Sequence, residues 1–134
     1  MYKKRLSGVV IPTITPMNED GSIDERSLAS FTEYLVQAGV DCLYPNGTNG
    51  ESLLLSREER EKVAEIMVET AAKRIPVFIQ CGSMTTAETA SHARHAAKTG
   101  ADGVGVMSPA FFPMDETSLF GYYCAVIESV PQDY

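Results

Sequence analysis

The sequence has 134 residues, of which 44% are hydrophobic and 22% charged, and its formal net charge is −7 at pH 7. This length suits one compact domain, and the composition excludes a disordered chain. The acidic balance and the lack of a long apolar run argue against nucleic acid or a membrane as the partner. Three widely spaced cysteines, Cys42, Cys81 and Cys124, favour buried thiols in a reducing cytoplasm over a disulfide framework.

The predicted elements alternate between short strands and helices. Runs rich in apolar residues predict strands at 9–15, 40–44, 77–80 and 104–107. Each run is followed by a segment with apolar residues at helical spacing. Every such segment opens on a side chain that can cap a helix, namely Asp24, Ser56, Thr85 or Asp115. Ser56 and Thr85 each precede a glutamate by three residues, which is the spacing of a capping box.

This βαβαβαβα order predicts a parallel sheet with right-handed crossovers. The joints at 38–41 and 99–102 resemble each other, because each combines a helix end, a glycine and the entry into a strand. Two architectures fit, a doubly wound open sheet or part of a (β/α)8 barrel, which needs eight strands to close. Both bind ligands at the carboxyl ends of their strands, so the loops after the strands are the candidate sites.

The loop after the second predicted strand has the richest chemistry. Gly47 and Gly50 allow backbone N–H groups to turn toward a small anion, and Thr48 and Asn49 add side-chain donors. The residues alone leave open whether this is a ligand loop or only a connecting turn. Glu51 is a candidate general base, although a loop carboxylate that bonds to backbone N–H groups is the favoured interpretation.

Two other pairs of residues have both a functional and a structural interpretation. Phe111 and Phe112, after the fourth strand, can wall a pocket, cover an interface or pack in the core. His92 and His95 lie three residues apart on the third helix, but no further ligand completes a metal site at suitable spacing. A solvated helix face is therefore the favoured interpretation of the two histidines, and we predict no metal.

None of the lysines follows the end of a predicted strand. They are Lys3 and Lys4 in the N-terminal tail, and Lys62, Lys73 and Lys98 on predicted helices. A Schiff-base amine must be buried enough to lose its proton near neutral pH, and none of these positions predicts that. Lys73 stands four residues after Glu69, which predicts a helical ion pair instead.

Leu43–Ser52 together with Glu59 resembles the signature loop of the dihydrodipicolinate synthase/N-acetylneuraminate lyase family. Four further segments agree in order, namely Thr15-Pro16, Pro76–Gly82, Ala101–Gly103 and Ser108-Pro109. The resemblance covers essentially the whole chain. It implies that residues 1–134 are the N-terminal half of a (β/α)8 barrel, with four βα units and no internal domain boundary.

The resemblance also implies an activity. Members of this family form a Schiff base between a lysine and a 2-oxo acid, typically pyruvate, and make or break a carbon–carbon bond with an aldehyde partner. Gly47, Thr48 and Asn49 stand where the family binds the pyruvate carboxylate, and Thr48 would also serve the proton relay. No cofactor is implied, and the family is usually a homotetramer. The Schiff-base lysine and relay tyrosine are expected beyond Tyr134, so we expect this chain alone to be inactive.

Three positions depart from the family pattern. Asn49 stands where a second threonine or a glycine is usual, although an amide can still donate to a carboxylate. Phe111 replaces a tyrosine whose hydroxyl reaches the neighbouring subunit's relay. Met84 replaces the asparagine of a lysine feedback site, so we expect no feedback by lysine.

Several functions remain open after the resemblance. Within the family, N-acetylneuraminate lyase and sugar-acid aldolases or dehydratases are alternatives to dihydrodipicolinate synthase. Outside catalysis, the chain could be a half-barrel that self-associates through the unpaired edge of its fourth strand. It could also be an anion-binding α/β module that holds phosphate at residues 47–50.

Overall fold

The computed structural model describes residues 7–131 and 134, and Lys3 and Lys4 lie outside the described residues. The predicted alternation is confirmed, although every strand is shorter than expected. The elements are β1 (Val10–Pro12), α1 (Glu25–Gln37), β2 (Cys42–Tyr44), α2 (Arg57–Ala71), β3 (Phe78–Gln80), α3 (Thr86–Thr99), β4 (Gly103–Gly105) and α4 (Glu116–Glu128).

The strands lie side by side in chain order and all run parallel. β1 pairs with β2, β3 pairs with β4, and a bridge between Leu43 and Val77 joins the two pairs. A doubly wound sheet reverses its strand order at a switch point, whereas a (β/α)8 barrel adds each strand beside the previous one. The observed order is therefore that of the barrel, and the chain forms four of its βα units.

The helices form a second layer, in which each helix packs against the next along the chain. The core lies between this layer and the sheet. Its fully buried members come from both layers and include Leu28, Leu43, Val63, Met67 and Ile79. Burial of side chains of this size stabilises the fold by about 1.5–3 kcal/mol each, before the entropy of ordering them is subtracted.

All four predicted caps are present at the helix starts. Ser56 forms the complete capping box with Glu59, and Asp24 and Asp115 each accept a backbone N–H bond in the first turn. Thr85 accepts from the Glu88 backbone N–H at 3.3 Å, but the Glu88 carboxylate bonds the Ser83 hydroxyl instead of completing a box.

The predicted helical pair between Glu69 and Lys73 is wrong. α2 ends at Ala71, and Lys73 adopts a left-handed φ of 60° that directs the chain away from the helix axis. Its ammonium donates to the Gly100 carbonyl at 2.6 Å and to Asp102 at 3.1 Å. Lys73 therefore ties the end of α2 to the entry of β4.

The similar joints at 38–41 and 99–102 make the same kind of hydrogen bond at the amino-terminal end of the sheet. The carboxylate of Asp41 accepts the Val9 N–H at 2.6 Å, and that of Asp102 accepts the Val77 N–H at 3.0 Å. In each pair of strands, an aspartate at the start of the second strand thus holds the backbone at the start of the first.

The last helix departs from its predicted pattern. Tyr122 and Val126 are buried as expected, but Ile127 is 69% exposed and Phe120, on the same helix, is 72% exposed. The expectation that Ile127 faces the core is therefore wrong. No helix in the described part of the chain combines the length and hydropathy that a membrane span requires.

Candidate functional site at the carboxyl ends of the strands

Asn46 is the second residue of the loop after β2, and it is buried with a left-handed φ of 61°. Asparagine tolerates this conformation better than most side chains do. Its Nδ2 donates to the carbonyl of Arg60 on α2 at 3.0 Å. The start of the loop is therefore fixed by both its backbone conformation and a buried bond to a helix.

Residues 47–50 form a compact turn against the end of β1. The Gly50 N–H donates to the Gly47 carbonyl at 3.1 Å, and the Thr15 hydroxyl donates to the Gly50 carbonyl at 2.9 Å. A Cβ on Gly50 would lie only 3.1 Å from the Thr13 carbonyl oxygen. Glycine at position 50 therefore allows the loop to approach β1 closely.

The structure brings the three predicted ligand residues together on this turn. Gly47 is buried, whereas Thr48 and Asn49 are exposed. The Asn49 amide donates to the Pro12 carbonyl at 3.4 Å, and its second N–H hydrogen is available to another acceptor. The Thr48 hydroxyl and the Asn49 amide thus form a neutral donor pair at the carboxyl end of the sheet.

Tyr44 is a neighbour of this loop to which the sequence assigned no role. It ends β2 with its ring over β4, so closely that a Cβ on Gly105 would overlap the phenol. Burial raises the pKa of Tyr44 above its ordinary value, so the phenol keeps its proton at neutral pH. Glycine at position 105 creates the space that the ring occupies.

Arg60 is the buried residue that sequence reasoning missed. It is 3% exposed, and its Nη2 donates to the carbonyls of Gln80 at 3.1 Å and Gly82 at 3.2 Å. Burial lowers the pKa of this guanidinium. The available signal was its position on α2, one turn before Ala64 and on the same buried stripe as Met67.

A second polar network holds the loops after β3 and β4. The Tyr122 hydroxyl donates to the Met107 carbonyl at 3.0 Å and lies 2.9 Å from the Thr89 hydroxyl. The Thr89 hydroxyl also accepts the Ser83 N–H at 3.0 Å. Tyr122, predicted as a core or interface residue, is therefore a core residue that also fixes two strand ends.

The favoured interpretation of the histidines is wrong for His92. It is 5% exposed, and burial, reinforced by the nearby Arg60 charge, lowers its pKa to about 4. His95 lies 3.1 Å from Glu65 on the neighbouring helix. Within residues 7–131 and 134, no group of three or more side chains is arranged to hold a metal ion.

The aromatic pair after β4 lies on the surface. Phe111 is 88% exposed and Phe112 is 68% exposed, and their rings meet edge to face with centroids 5.1 Å apart. The core interpretation of this pair is therefore wrong. Phe111 also has a left-handed φ of 77°, which is unusual for a bulky side chain.

The lysines and the cysteines differ in their exposure to solvent. Lys62, Lys73 and Lys98 are all exposed. Cys42 and Cys81 are buried, as predicted, whereas the predicted burial of Cys124 is wrong, because its exposure is intermediate. Burial raises the pKa of the Cys42 and Cys81 thiols, that of Cys81 to about 12. These cysteines are protonated at neutral pH, so they are poor nucleophiles.

These features define a class of protein: a four-unit piece of a (β/α)8 fold with a donor loop at the carboxyl ends of its strands. The model of the Dihydrodipicolinate synthetase family matches residues 5–132, and the chain belongs to this family.

Relatives with known names agree with this assignment. A 4-hydroxy-tetrahydrodipicolinate synthase from Bartonella bacilliformis is 41% identical over 125 residues, which are 93% of this chain and 42% of that protein. The chain thus spans about two fifths of the length of this curated relative.

Two solved structures extend the comparison. A prophage protein of the dihydrodipicolinic acid synthase family from E. coli K12, in complex with pyruvate, is 34% identical with a TM-score of 0.89. The match covers 92% of this chain and 41% of that one. N-acetylneuraminate lyase from Fusobacterium nucleatum is 28% identical, also with a TM-score of 0.89, over 93% of this chain and 43% of that one.

Proposed function

We propose that the chain carries the carboxylate-binding part of a lyase site that takes pyruvate or a related 2-oxo acid, with an aldehyde as the second substrate. The proposal is supported by the chain's membership of the Dihydrodipicolinate synthetase family, by curated relatives named 4-hydroxy-tetrahydrodipicolinate synthase, and by a structural neighbour solved in complex with pyruvate. The observation that carries the proposal is the exposed donor pair of Thr48 and Asn49, held on the buried and tightly bonded frame of Asn46 and Gly50.

The donor set suits the chemistry of a Schiff base. Gly47, Thr48 and Asn49 offer neutral N–H and O–H groups, which hold a carboxylate without cancelling its charge. An amine then attacks the adjacent carbonyl carbon to give a carbinolamine. Its hydroxyl leaves as water with the remaining proton of the nitrogen, and a C=N bond forms. We assign Thr48 the catalytic role, because a hydroxyl can donate one proton while it accepts another. Phe111 has no hydroxyl, so a relay through that position must use another group.

The amine is assigned to a part of the enzyme that residues 7–131 and 134 do not include. Lys62, Lys73 and Lys98 are exposed, whereas a Schiff-base amine needs desolvation or a neighbouring charge to lower its pKa. Lys73 is also engaged by the Gly100 carbonyl and Asp102.

Reductive trapping tests this assignment. The chain is incubated with pyruvate and borohydride, and its intact mass is measured beside a full-length lyase of the family as positive control. We expect the mass of the 134-residue chain to stay unchanged while the control gains the reduced adduct. A stable adduct on Lys62, Lys73 or Lys98 would overturn the assignment.

A second candidate function is a non-catalytic half-barrel that assembles into an oligomer. It is favoured by exposed apolar side chains at the two ends of the element order, Val9 and Val10 at the start of β1 and Phe120 and Ile127 on α4. Sedimentation velocity tests it. A clean monomer with a cooperative melt would contradict it, whereas a discrete oligomer would support it and agree with the oligomers expected for the family.

An anion-binding module is the remaining alternative. Titration of the chain with phosphate and with pyruvate ranks the two ligands, and we expect pyruvate to bind more tightly at residues 47–50. Tighter binding of phosphate would favour the alternative.

A further inference from the structure

We propose that Arg60 is a positioning residue of the carboxylate site, which it serves by fixing the loop after β2 relative to the end of β3. The inference rests on the proposed function, because the site it positions is the donor turn of Gly47, Thr48 and Asn49. Arg60 itself does not touch the substrate in this proposal.

Arg60 holds two neighbouring strand ends from one position on α2. Its Nη2 donates to the carbonyls of Gln80 and Gly82, where β3 passes into its loop. Its backbone carbonyl accepts the side-chain N–H of Asn46, where β2 passes into the donor turn. One residue therefore sets the distance between the two loops, with its side chain on one and its backbone on the other.

The bond to Asn46 acts directly on the donor turn. Asn46 precedes Gly47, and the Gly47 carbonyl accepts the N–H groups of Gly50 at 3.1 Å and Ser52 at 3.5 Å. A rotation of the backbone at Asn46 therefore moves the whole turn, including Thr48. Because Asn46 has a left-handed φ, its conformation depends on this outside support.

An arginine at this position is a costly means of stabilising the fold. Among the ion pairs of the described residues, none includes Arg60, and its Nε is buried without a hydrogen-bond partner. A buried cation without a carboxylate is less favourable than an apolar side chain of similar volume. The guanidinium nevertheless provides what an apolar side chain lacks, namely several donors in a fixed plane, which here reach two carbonyls at the end of β3.

Pyruvate titrations followed by amide chemical shifts test the proposal on the 134-residue chain. The variants are Arg60→Met, Arg60→Lys and the matched control Arg57→Met, which removes an exposed arginine from the first turn of the same helix. We expect Arg60→Met to weaken pyruvate binding about tenfold, as expected for a lost buried charged bond. Arg60→Lys should recover part of that loss, and Arg57→Met should bind as the wild type does.

The outcomes separate this proposal from the proposed function. Wild-type affinity in a folded Arg60→Met chain would overturn the positioning role. If Arg60→Met does not fold, Asn46→Ala removes the other contact of Arg60, the hydrogen bond to its backbone carbonyl, and unchanged affinity there would overturn the proposal as well. If pyruvate shifts no amide of the wild type, the proposed function fails. The positioning role is then tested by comparing the amide chemical shifts of Arg60→Met and the wild type without pyruvate. It is overturned if the substitution changes the shift of the Gly82 amide but not those of residues 47–50.

Discussion

The two ends of the sheet are built in different ways. At the amino-terminal end, Asp41 and Asp102 make the same contact, in which a carboxylate accepts the backbone N–H of the residue just before the neighbouring strand. At the carboxyl end every joint is different, with a left-handed Asn46 after β2, an arginine bond to Gly82 after β3 and a tyrosine bond to Met107 after β4.

The repeated bonds therefore lie at the amino-terminal end of the sheet, and the contacts that differ from joint to joint lie at the end that carries the candidate site. Barrels of this kind place catalysis at the carboxyl ends of their strands, whereas the opposite end serves stability. A repeated bond suffices to hold strands in register, but a binding site needs groups placed individually, which requires buried polar contacts and unusual backbone conformations.

Acid should weaken the fold through His92, near the carboxyl end. Its pKa falls from 6.5 to about 4 on folding, so between these values the unfolded chain binds a proton that the folded chain does not. The stabilising contribution is complete above pH 6.5, and it is lost as the pH falls toward 4, by an amount on the order of 3 kcal/mol.

Denaturant titrations between pH 4 and 7 measure this effect. The variant His92→Gln cannot gain the proton, so its stability should fall less steeply with acid than that of the wild type. Parallel pH profiles for the two chains would show that His92 does not titrate as expected.

Filling the space at Gly105 should disturb the carboxyl end. A Cβ there overlaps the Tyr44 phenol, so Gly105→Ala should cost about 2 kcal/mol of unfolding free energy. Tyr44→Phe in the same chain should recover part of the loss. Gly121→Ala is the matched control, because a Cβ at that position on α4 meets no other atom within 4 Å. It should be neutral or slightly stabilising, and equal losses for the two alanine variants would contradict the overlap.

Removing the carboxylate of Asp102 or Asp41 should lower stability without changing pyruvate binding. Asp102→Ala loses the bond to Val77 and the partner of Lys73, which should lower the unfolding free energy by about 1–2 kcal/mol. Asp41→Ala loses one exposed bond to Val9 and should cost less, about 0.5–1 kcal/mol. Thermal melts measure both losses. A reduced pyruvate affinity in either folded variant would break the division between the two ends.

The local parts of the fold could be predicted from the sequence. Strand–helix alternation, the caps at Asp24, Ser56 and Asp115, and the donor turn depend on residues close together in the chain. The choice between a barrel and an open sheet required the strand order or the resemblance, since each strand pattern fits both architectures.

The remaining parts depend on contacts between distant residues. Arg60 and His92 fall at helical spacing from buried residues of α2 and α3, but charged and polar side chains are mostly solvent-exposed, so the burial of these two follows from tertiary packing and not from residue type. The spacing of Lys73 from Glu69 predicts a helical position, but the left-handed turn after Ala71 gives Lys73 other partners.

The most direct test of the account is a pyruvate titration of the wild-type chain and Thr48→Val, followed by amide chemical shifts. We expect the shifts in the wild type to concentrate at residues 47–50 and Thr48→Val to weaken them. The amide shifts of Val9 and Val77, at the opposite end of the sheet, should not change. Shifts centred on the amino-terminal end, or binding to Thr48→Val as tight as to the wild type, would contradict it.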